Sequence, residues 1–137
     1  MSMTEFNSQI IDEFRGNGGK LGGGFAGATM LLLTTKGAKS GNLRTNPLAY
    51  LAQGDGIYIF GSKGGAPTNP DWYHNLVAHS SVQAEIGTQT LPFTARVADG
   101  DERDRIWSAQ KSAYPGFAEY EEKTTRQIPV VILEVSR

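Results

Sequence analysis

The sequence predicts a mainly β domain with helices: an antiparallel barrel of about six strands, with an N-terminal helix and further helices packed outside. Two observations carry this expectation. Strand-length apolar runs follow one another across short turn-forming stretches, at Lys39–Asn42, Gln53–Gly56 and Gly87–Thr88. The β-α-β alternation that builds a parallel sheet is absent, and every connection is short.

Each element has its own signal. Phe6, Ile10, Ile11 and Phe14 recur at near-helical spacing and form one apolar stripe on a short N-terminal helix. That stripe docks on the chain's own core, or alternatively makes a peripheral contact with a membrane or partner. Gly16–Gly27 is a glycine-dense linker, expected to be mobile or to order only on binding, because glycine loses the most backbone entropy when fixed. The Gly-x-Gly-x-x-Gly match at Gly22, Gly24 and Gly27 is a decoy: a dinucleotide fingerprint needs a strand before it and a helix after it.

From Met30 the pattern turns to β. A first strand covers Met30–Lys36, reverses at Lys39–Asn42 and continues as Leu43–Ala52; the Gln53-Gly-Asp-Gly hairpin leads to a third strand over Ile57–Gly61. Pro47 inside the second run predicts an edge position or a bulge. A loop over Ser62–Asn69 follows, with Asn69 expected to cap a helix that opens at Pro70 and runs to about Ala78. Val82–Ile86 and Gln89–Val97 form the next hairpin, with Leu91, Phe93, Ala95 and Val97 alternating as on a half-buried strand. Asp99 starts a helix that runs to Tyr114, Phe117–Thr125 forms a second helical piece, and Ile128–Val135 closes the chain as an apolar strand. The expected organisation is residues 1–27 as helix and linker and residues 28–137 as the barrel.

Composition narrows the function. With 137 residues, 39% apolar and 20% charged, the chain suits one folded domain with a real core. A net charge of −1 offers no broad basic face for nucleic acid. The absence of cysteine removes thiolate catalysis and Cys-ligated zinc, and suits a reducing cytoplasm, the expected location. No apolar run reaches the roughly 20 residues of a membrane span. His74 and His79 lack the clustered carboxylates of a metal site, so no metal is expected; surface or helix-end packing is the favoured reading of both.

Charge is unevenly placed. Phe14–Gly54 contains no Asp or Glu, and within it Lys36, Lys39 and Arg44 surround a Ser40-Gly41-Asn42 turn. Cations without neighbouring carboxylates keep their field for an anion, and a hairpin tip has backbone N–H groups to offer it. The guest expected there is a phosphorylated or carboxylated small molecule. A second segment, Gly61–Leu76, carries Ser62 and Lys63, a Gly64-Gly65 pair that lets backbone approach a flat ligand, and Trp72 and Asn75 three apart on the same helix face. The alternative for this segment is a turn-rich loop before an amphipathic helix, with Trp72 in the core. A barrel brings the two segments to one mouth.

Three ordered motifs then become specific: Thr-x-Gly-x-Lys-Ser-Gly-x-x-Arg-x-x-Pro-Leu at Thr35–Leu48, Ser-Lys-Gly-Gly-x-x-x-x-Pro-x-Trp-Tyr-x-Asn-Leu at Ser62–Leu76, and Arg-x-Ile-Pro-Val at Arg126–Val130. Together they resemble the deazaflavin (coenzyme F420)-dependent nitroreductase family over about residues 28 to 135. These are small, mostly actinobacterial split β-barrel proteins of the FMN-binding-like type. The resemblance implies that Lys39, Ser40 and Arg44, with Pro47, hold the anionic tail of F420. It implies that Ser62, Lys63, Gly64 and Gly65 approach the deazaflavin ring and phosphate, with Trp72 and Asn75 supporting that wall. Ser62, Tyr114 and Tyr120, with Phe117, would face the substrate, Ser62, Tyr114 and Tyr120 serving as catalytic groups. Relatives often have tyrosine where this chain has Phe117, so nitroimidazole chemistry that depends on that phenol is not implied.

The implied activity is transfer of a hydride from reduced F420 to a flat acceptor: a quinone, an activated alkene or a nitroaromatic. Such chemistry asks the protein to position and polarise, in keeping with the lack of a nucleophile or metal motif. Three rivals stand beside it: an FMN-dependent reductase or oxidase of the same barrel class, a non-catalytic module that holds F420 or a lipid, and a structural domain whose basic hairpin is merely solvated. A homodimer is also possible, since related barrels often pair.

Overall fold

The computed structural model describes residues 3–22, 29–53 and 56–136. Six strands, β1 (Met30–Lys36), β2 (Leu43–Gln53), β3 (Gly56–Phe60), β4 (Ser81–Ile86), β5 (Gln89–Val97) and β6 (Val130–Val135), close into a barrel in the order β1-β2-β3-β6-β5-β4. Every pairing is antiparallel, including the β1–β4 pair that closes the ring. Helices α1 (Met3–Gly16), α2 (Asp71–Ala78), α3 (Gly100–Ala113) and α4 (Gly116–Glu122) stand around it. The β1–β2, β2–β3 and β4–β5 pairs are the hairpins that the turn spacing predicts, while β3–β6, β5–β6 and β1–β4 join strands distant in sequence. The glycine and aspartate at 54 and 55, and the boundary at residues 27 and 28, lie outside the described residues.

Two apolar clusters explain why some strands alternate and others do not. Leu31, Leu33, Ile59, Val82, Ala84, Phe93, Ala95, Val131 and Leu133 fill the first, joined by Trp72 and Leu76 of α2. Tyr58, Phe60, Val130 and Ile132 belong to a second cluster with Ala98, Ile106, Trp107 and Ile128, on the other face of β3 and β6 beneath α3 and α4. Strands β3 and β6 are thus covered on both faces, and so read as near-continuous apolar runs. Strand β5 has one wet face and keeps its period of two: Phe93 and Ala95 are buried, while Thr94 and Arg96 are exposed.

The apolar stripe of α1 is spent on the domain itself at Ile10 and Phe14, while Phe6 keeps 38% of its surface exposed. Ile10 and Phe14 are buried, Phe14 with 1% of its surface exposed, and α1 lies against β2. An Arg15–Glu85 pair, with Nε and Nη2 at 3.0 and 2.8 Å from the carboxylate oxygens, ties the helix to β4. No helix among the described residues is long and apolar enough to cross a membrane.

Two details depart from the sequence reading, and at Pro47 the structure takes one of its two alternatives, the edge position. The first part of the glycine linker is tied down: Gly19 N–H donates to Phe14 O at 2.8 Å and Gly22 N–H to Glu13 Oε1 at 2.7 Å. A side chain at Gly19 (φ 91°) would come within 2.6 Å of the Gly87 backbone, so glycine there permits the chain leaving α1 to cross the β4–β5 turn. Residues 23–28, with the rest of the Gly-x-Gly-x-x-Gly match, lie outside the described residues. Pro47 makes no bulge; it stands opposite Leu32 in an unbroken β1–β2 register, on a stretch of β2 that β3 does not reach until Tyr50. Pro92 is placed alike, where β6 pairing ends at the Phe93–Val135 pair. Finally, Asn69 does not cap α2. Its Oδ1 accepts a hydrogen bond from Arg126 Nη1 at 2.7 Å, and Pro70 occupies the cap position.

Candidate functional site

The tip of the β1–β2 hairpin is built around small residues. Gly37 N–H donates to Asn42 O at 2.7 Å, Gly41 N–H to Gly37 O at 3.0 Å, and Asn42 N–H to Ser40 Oγ at 3.1 Å. Gly41 has φ of 73°, and a side chain on Gly37 would meet Ser40 Oγ at 2.6 Å. Because Ser40 Oγ accepts from the backbone, its own proton remains to be donated outward.

Asn75 locks this tip to α2. Its Oδ1 accepts the Ala38 N–H at 2.9 Å, and its Nδ2 donates to Thr35 Oγ1 at 3.2 Å, with both Asn75 and Thr35 buried. The contact spans 37 residues of chain, and it places the first turn of α2 beside the hairpin cations.

Between these elements opens a cavity of about 1010 Å³. The hairpin contributes Lys39, Ser40 and Arg44, α2 contributes Asp71, His74 and Asn75, and α1 contributes Asn7, Ser8 and Ile11. Among the described residues, neither Lys39 nor Arg44 takes part in an ion pair. Two unpaired cations, a donating hydroxyl and a glycine-shaped turn are a donor set suited to phosphate and carboxylate oxygens. The residues present therefore fit the anionic tail of F420. Asp71, the one carboxylate among the described residues that line the cavity, sits in the first turn of α2, where the helix dipole favours it.

The turn after β3 forms a separate group. Ser62 is buried, Lys63–Gly65 make a single 3-10 turn, and Lys63 adopts φ of 48°, rare for a residue other than glycine. Lys63 Nζ donates to Thr68 Oγ1 at 3.2 Å. Gly65 (φ 84°) lies so close to α4 that a side chain on it would stand 2.9 Å from Tyr120 O. Ser62, Lys63, Gly64 and Gly65 do not line the cavity of the hairpin; contact with α4 and the Arg126 guanidinium holds them on the α4 side. Trp72 is buried among barrel residues, and Pro47 lies on β2 outside the cavity lining.

Tyr114, Phe117 and Tyr120 meet in an aromatic cluster centred on Phe117. Its ring centroid is 5.2 Å from that of Tyr120, 6.3 Å from Tyr114, 6.1 Å from Phe60 and 6.2 Å from Trp107. The Trp107 indole N–H donates to Glu121, which also pairs with Lys111 at 3.1 Å. Burial pushes the Glu121 carboxyl up, but the bonds from Trp107 and Lys111 and the charges of Lys111 and Arg103 outweigh it and leave it below the usual carboxylate range.

Sequence reasoning missed the α1 wall, His74 and Asp71 as cavity residues, and Arg126 as the clamp on the Ser62 turn. Arg126 stood in a quoted motif, and Ile11 stood in the apolar stripe of α1; nothing local told which side of the barrel α1 would cover. Among the described residues no group of His, Asp and Glu is placed to hold a metal.

Comparison with known proteins adds the rest. The family described as F420H(2)-dependent quinone reductase matches residues 8–135. An F420H(2)-dependent quinone reductase of Mycobacterium tuberculosis (strain H37Rv) is 38% identical over 124 residues, covering 88% of this chain and 83% of that protein. The solved structure of an F420-H2 dependent reductase, FDR-A, is 43% identical, covers 77% of this chain and 94% of its own, and superposes with a TM-score of 0.71. A further solved structure, described as a domain-swapped dimer, is 37% identical over 96% of both chains with a TM-score of 0.73. At 13% identity and a TM-score of 0.60, the haem storage protein HutZ of Vibrio cholerae shares the fold alone. By family match and by barrel, this chain belongs to the F420H(2)-dependent quinone reductases.

Proposed function

We propose that this chain binds F420 through Lys39, Ser40 and Arg44 and reduces a flat acceptor, first of all a quinone. The observation that carries the reading is the unpaired Lys39–Arg44 pair on a large cavity of a chain that belongs to this family. When bound, reduced F420 supplies a hydride from its deazaflavin ring. The protein holds the tail, keeps water from the reacting faces and offers polar hydrogens where negative charge grows. Reduction of a quinone to a hydroquinone takes one hydride and one proton; Ser62, Tyr114 and Tyr120 are the groups we assign to hydrogen-bond the acceptor oxygen, with water delivering the proton.

Nitroaromatics and activated alkenes extend the acceptor range in this reading, with Phe117 withholding the phenol that some relatives carry. The solved relative described as a domain-swapped dimer supports a paired state for this chain too. Fluorescence titration with F420, followed by F420H2 oxidation with menadione, tests the reading. Binding at micromolar protein with menadione-dependent oxidation supports it; no binding, or displacement of F420 by stoichiometric FMN, overturns it. Tight F420 binding without turnover across a broad acceptor panel leaves only a carrier function.

A further inference from the structure

Arg126 leaves the segment between α4 and β6 and enters the turn after β3. Its Nε donates to Ala66 O at 2.9 Å, Nη1 to Asn69 Oδ1 at 2.7 Å and Nη2 to Ser62 O at 2.9 Å. All three arms of the guanidinium are spent on neutral acceptors spread along one short loop. Among the described residues Arg126 makes no ion pair. Burial presses its pKa down, yet a guanidinium keeps its charge under such pressure, so the cation is retained where no carboxylate repays it.

The loop has reason to need such a clamp. It belongs to no strand, and its own bonds are short-range: Gly65 N–H to Ser62 O at 2.9 Å and Ala66 N–H to Lys63 O at 3.1 Å in the backbone, and Lys63 Nζ to Thr68 Oγ1 at 3.2 Å between side chains. Lys63 holds a backbone conformation that glycine tolerates far better. On its opposite side the loop touches α4 through Gly65 and Tyr120. Arg126 therefore fixes one surface of the loop while α4 bounds another, and both attachments come from the same stretch of chain.

We propose that Arg126 is a positioning residue for hydride transfer: it sets the Ser62–Gly65 turn at a fixed distance and tilt from Tyr114 and Tyr120. This rests on the reading above that the turn faces the deazaflavin ring and the tyrosines face the acceptor. Hydride transfer demands close approach of two carbons, and small misplacements are costly to the chemical step. Lysine cannot stand in, because one nitrogen cannot reach three acceptors arranged around a planar fork. The cofactor's tail, which that reading assigns to Lys39 and Arg44 in the hairpin cavity, is left out of this control.

The test compares the full-length wild type with Arg126→Gln, Arg126→Lys and Asn69→Ala. Wild-type F420 binding and menadione-dependent turnover come first, since their absence refutes the functional reading and not the clamp. Given an active wild type, Arg126→Gln is expected to lose about a hundredfold in kcat, with the F420 Kd changed less than about threefold. Arg126→Lys should fail to restore kcat, and Asn69→Ala, which removes one of three acceptors, should lose about tenfold. Hydrogen exchange at the Gly65 and Ala66 amides should quicken in each variant. Unchanged kcat in a folded Arg126→Gln, full rescue by Arg126→Lys, or a loss confined to Kd and KM would overturn the proposal. If Arg126→Gln does not fold, Asn69→Ala decides: wild-type kcat there is equally fatal.

Discussion

Asn75 on α2 accepts the backbone N–H of Ala38 at the β1–β2 tip, so the helix and the hairpin that frame the cavity are one mechanical piece. Replacing Asn75 with alanine strands the Ala38 N–H and frees Thr35 Oγ1 in buried surroundings. We expect a loss of about 1–3 kcal/mol in urea unfolding and a several-fold rise in the F420 Kd. Unchanged stability would show that the bond does not hold the two elements.

Lys39→Ala and Arg44→Ala should separate binding from folding. Both side chains belong to exposed residues outside any ion pair among the described residues. Thermal midpoints should stay at the wild-type value. F420 affinity should fall about tenfold or more for each, as for a lost charge-assisted hydrogen bond. The salt dependence of binding should flatten in the same variants. Affinity that ignores both substitutions assigns the tail elsewhere.

Phe14 anchors α1 and so one wall of the cavity. Phe14→Ala empties a site that is 1% exposed and should cost about 3–5 kcal/mol in denaturant unfolding. Because Asn7, Ser8 and Ile11 line the cavity from α1, ligand affinity should drop in parallel. A variant that loses stability and keeps full affinity would mean that the α1 wall is not used.

Glu121 supplies a pH test with a defined sign. Its folded-state pKa lies below the ordinary value, so its contribution is present above about pH 4.3 and is lost as pH falls through the lowered value. Glu121→Gln keeps an acceptor for Trp107 and removes the charge facing Lys111. Urea melts from pH 7 to pH 3 should therefore show the wild type ahead at pH 7 and the gap closing below about pH 4. A gap that does not narrow as pH falls from 7 to 3 would rule out the charge as its source.

The hairpins were legible because their signals are local. The strands around Ser40-Gly41-Asn42 and Gly87-Thr88 end within one or two residues of where turn chemistry and period place them. The Asn69 cap failed for the opposite reason. A guanidinium 57 residues away took its acceptor, and no window around Asn69 contains that competitor. The candidate site was legible by halves: charge segregation pointed to Lys39 and Arg44, and the motif pairing pointed to Asn75. That the Ser62 turn would lie with α4, while α1 would join the hairpin cavity, depends on packing choices that amphipathic patterns leave open.

The two prolines within strands have a consequence for life in a crowded solution. A closed ring offers no full-length edge to a neighbouring chain, but among the described residues β2 near Pro47 has no strand partner on one flank, and beside Pro92 the β5–β6 ladder narrows to a single bond, Ser136 N–H to Pro92 O at 3.1 Å. Those are the places where a foreign strand would dock and seed aggregation. Proline has no N–H to lend to such a strand, so the gaps in the ladder are closed to visitors at no loss to the ladder itself.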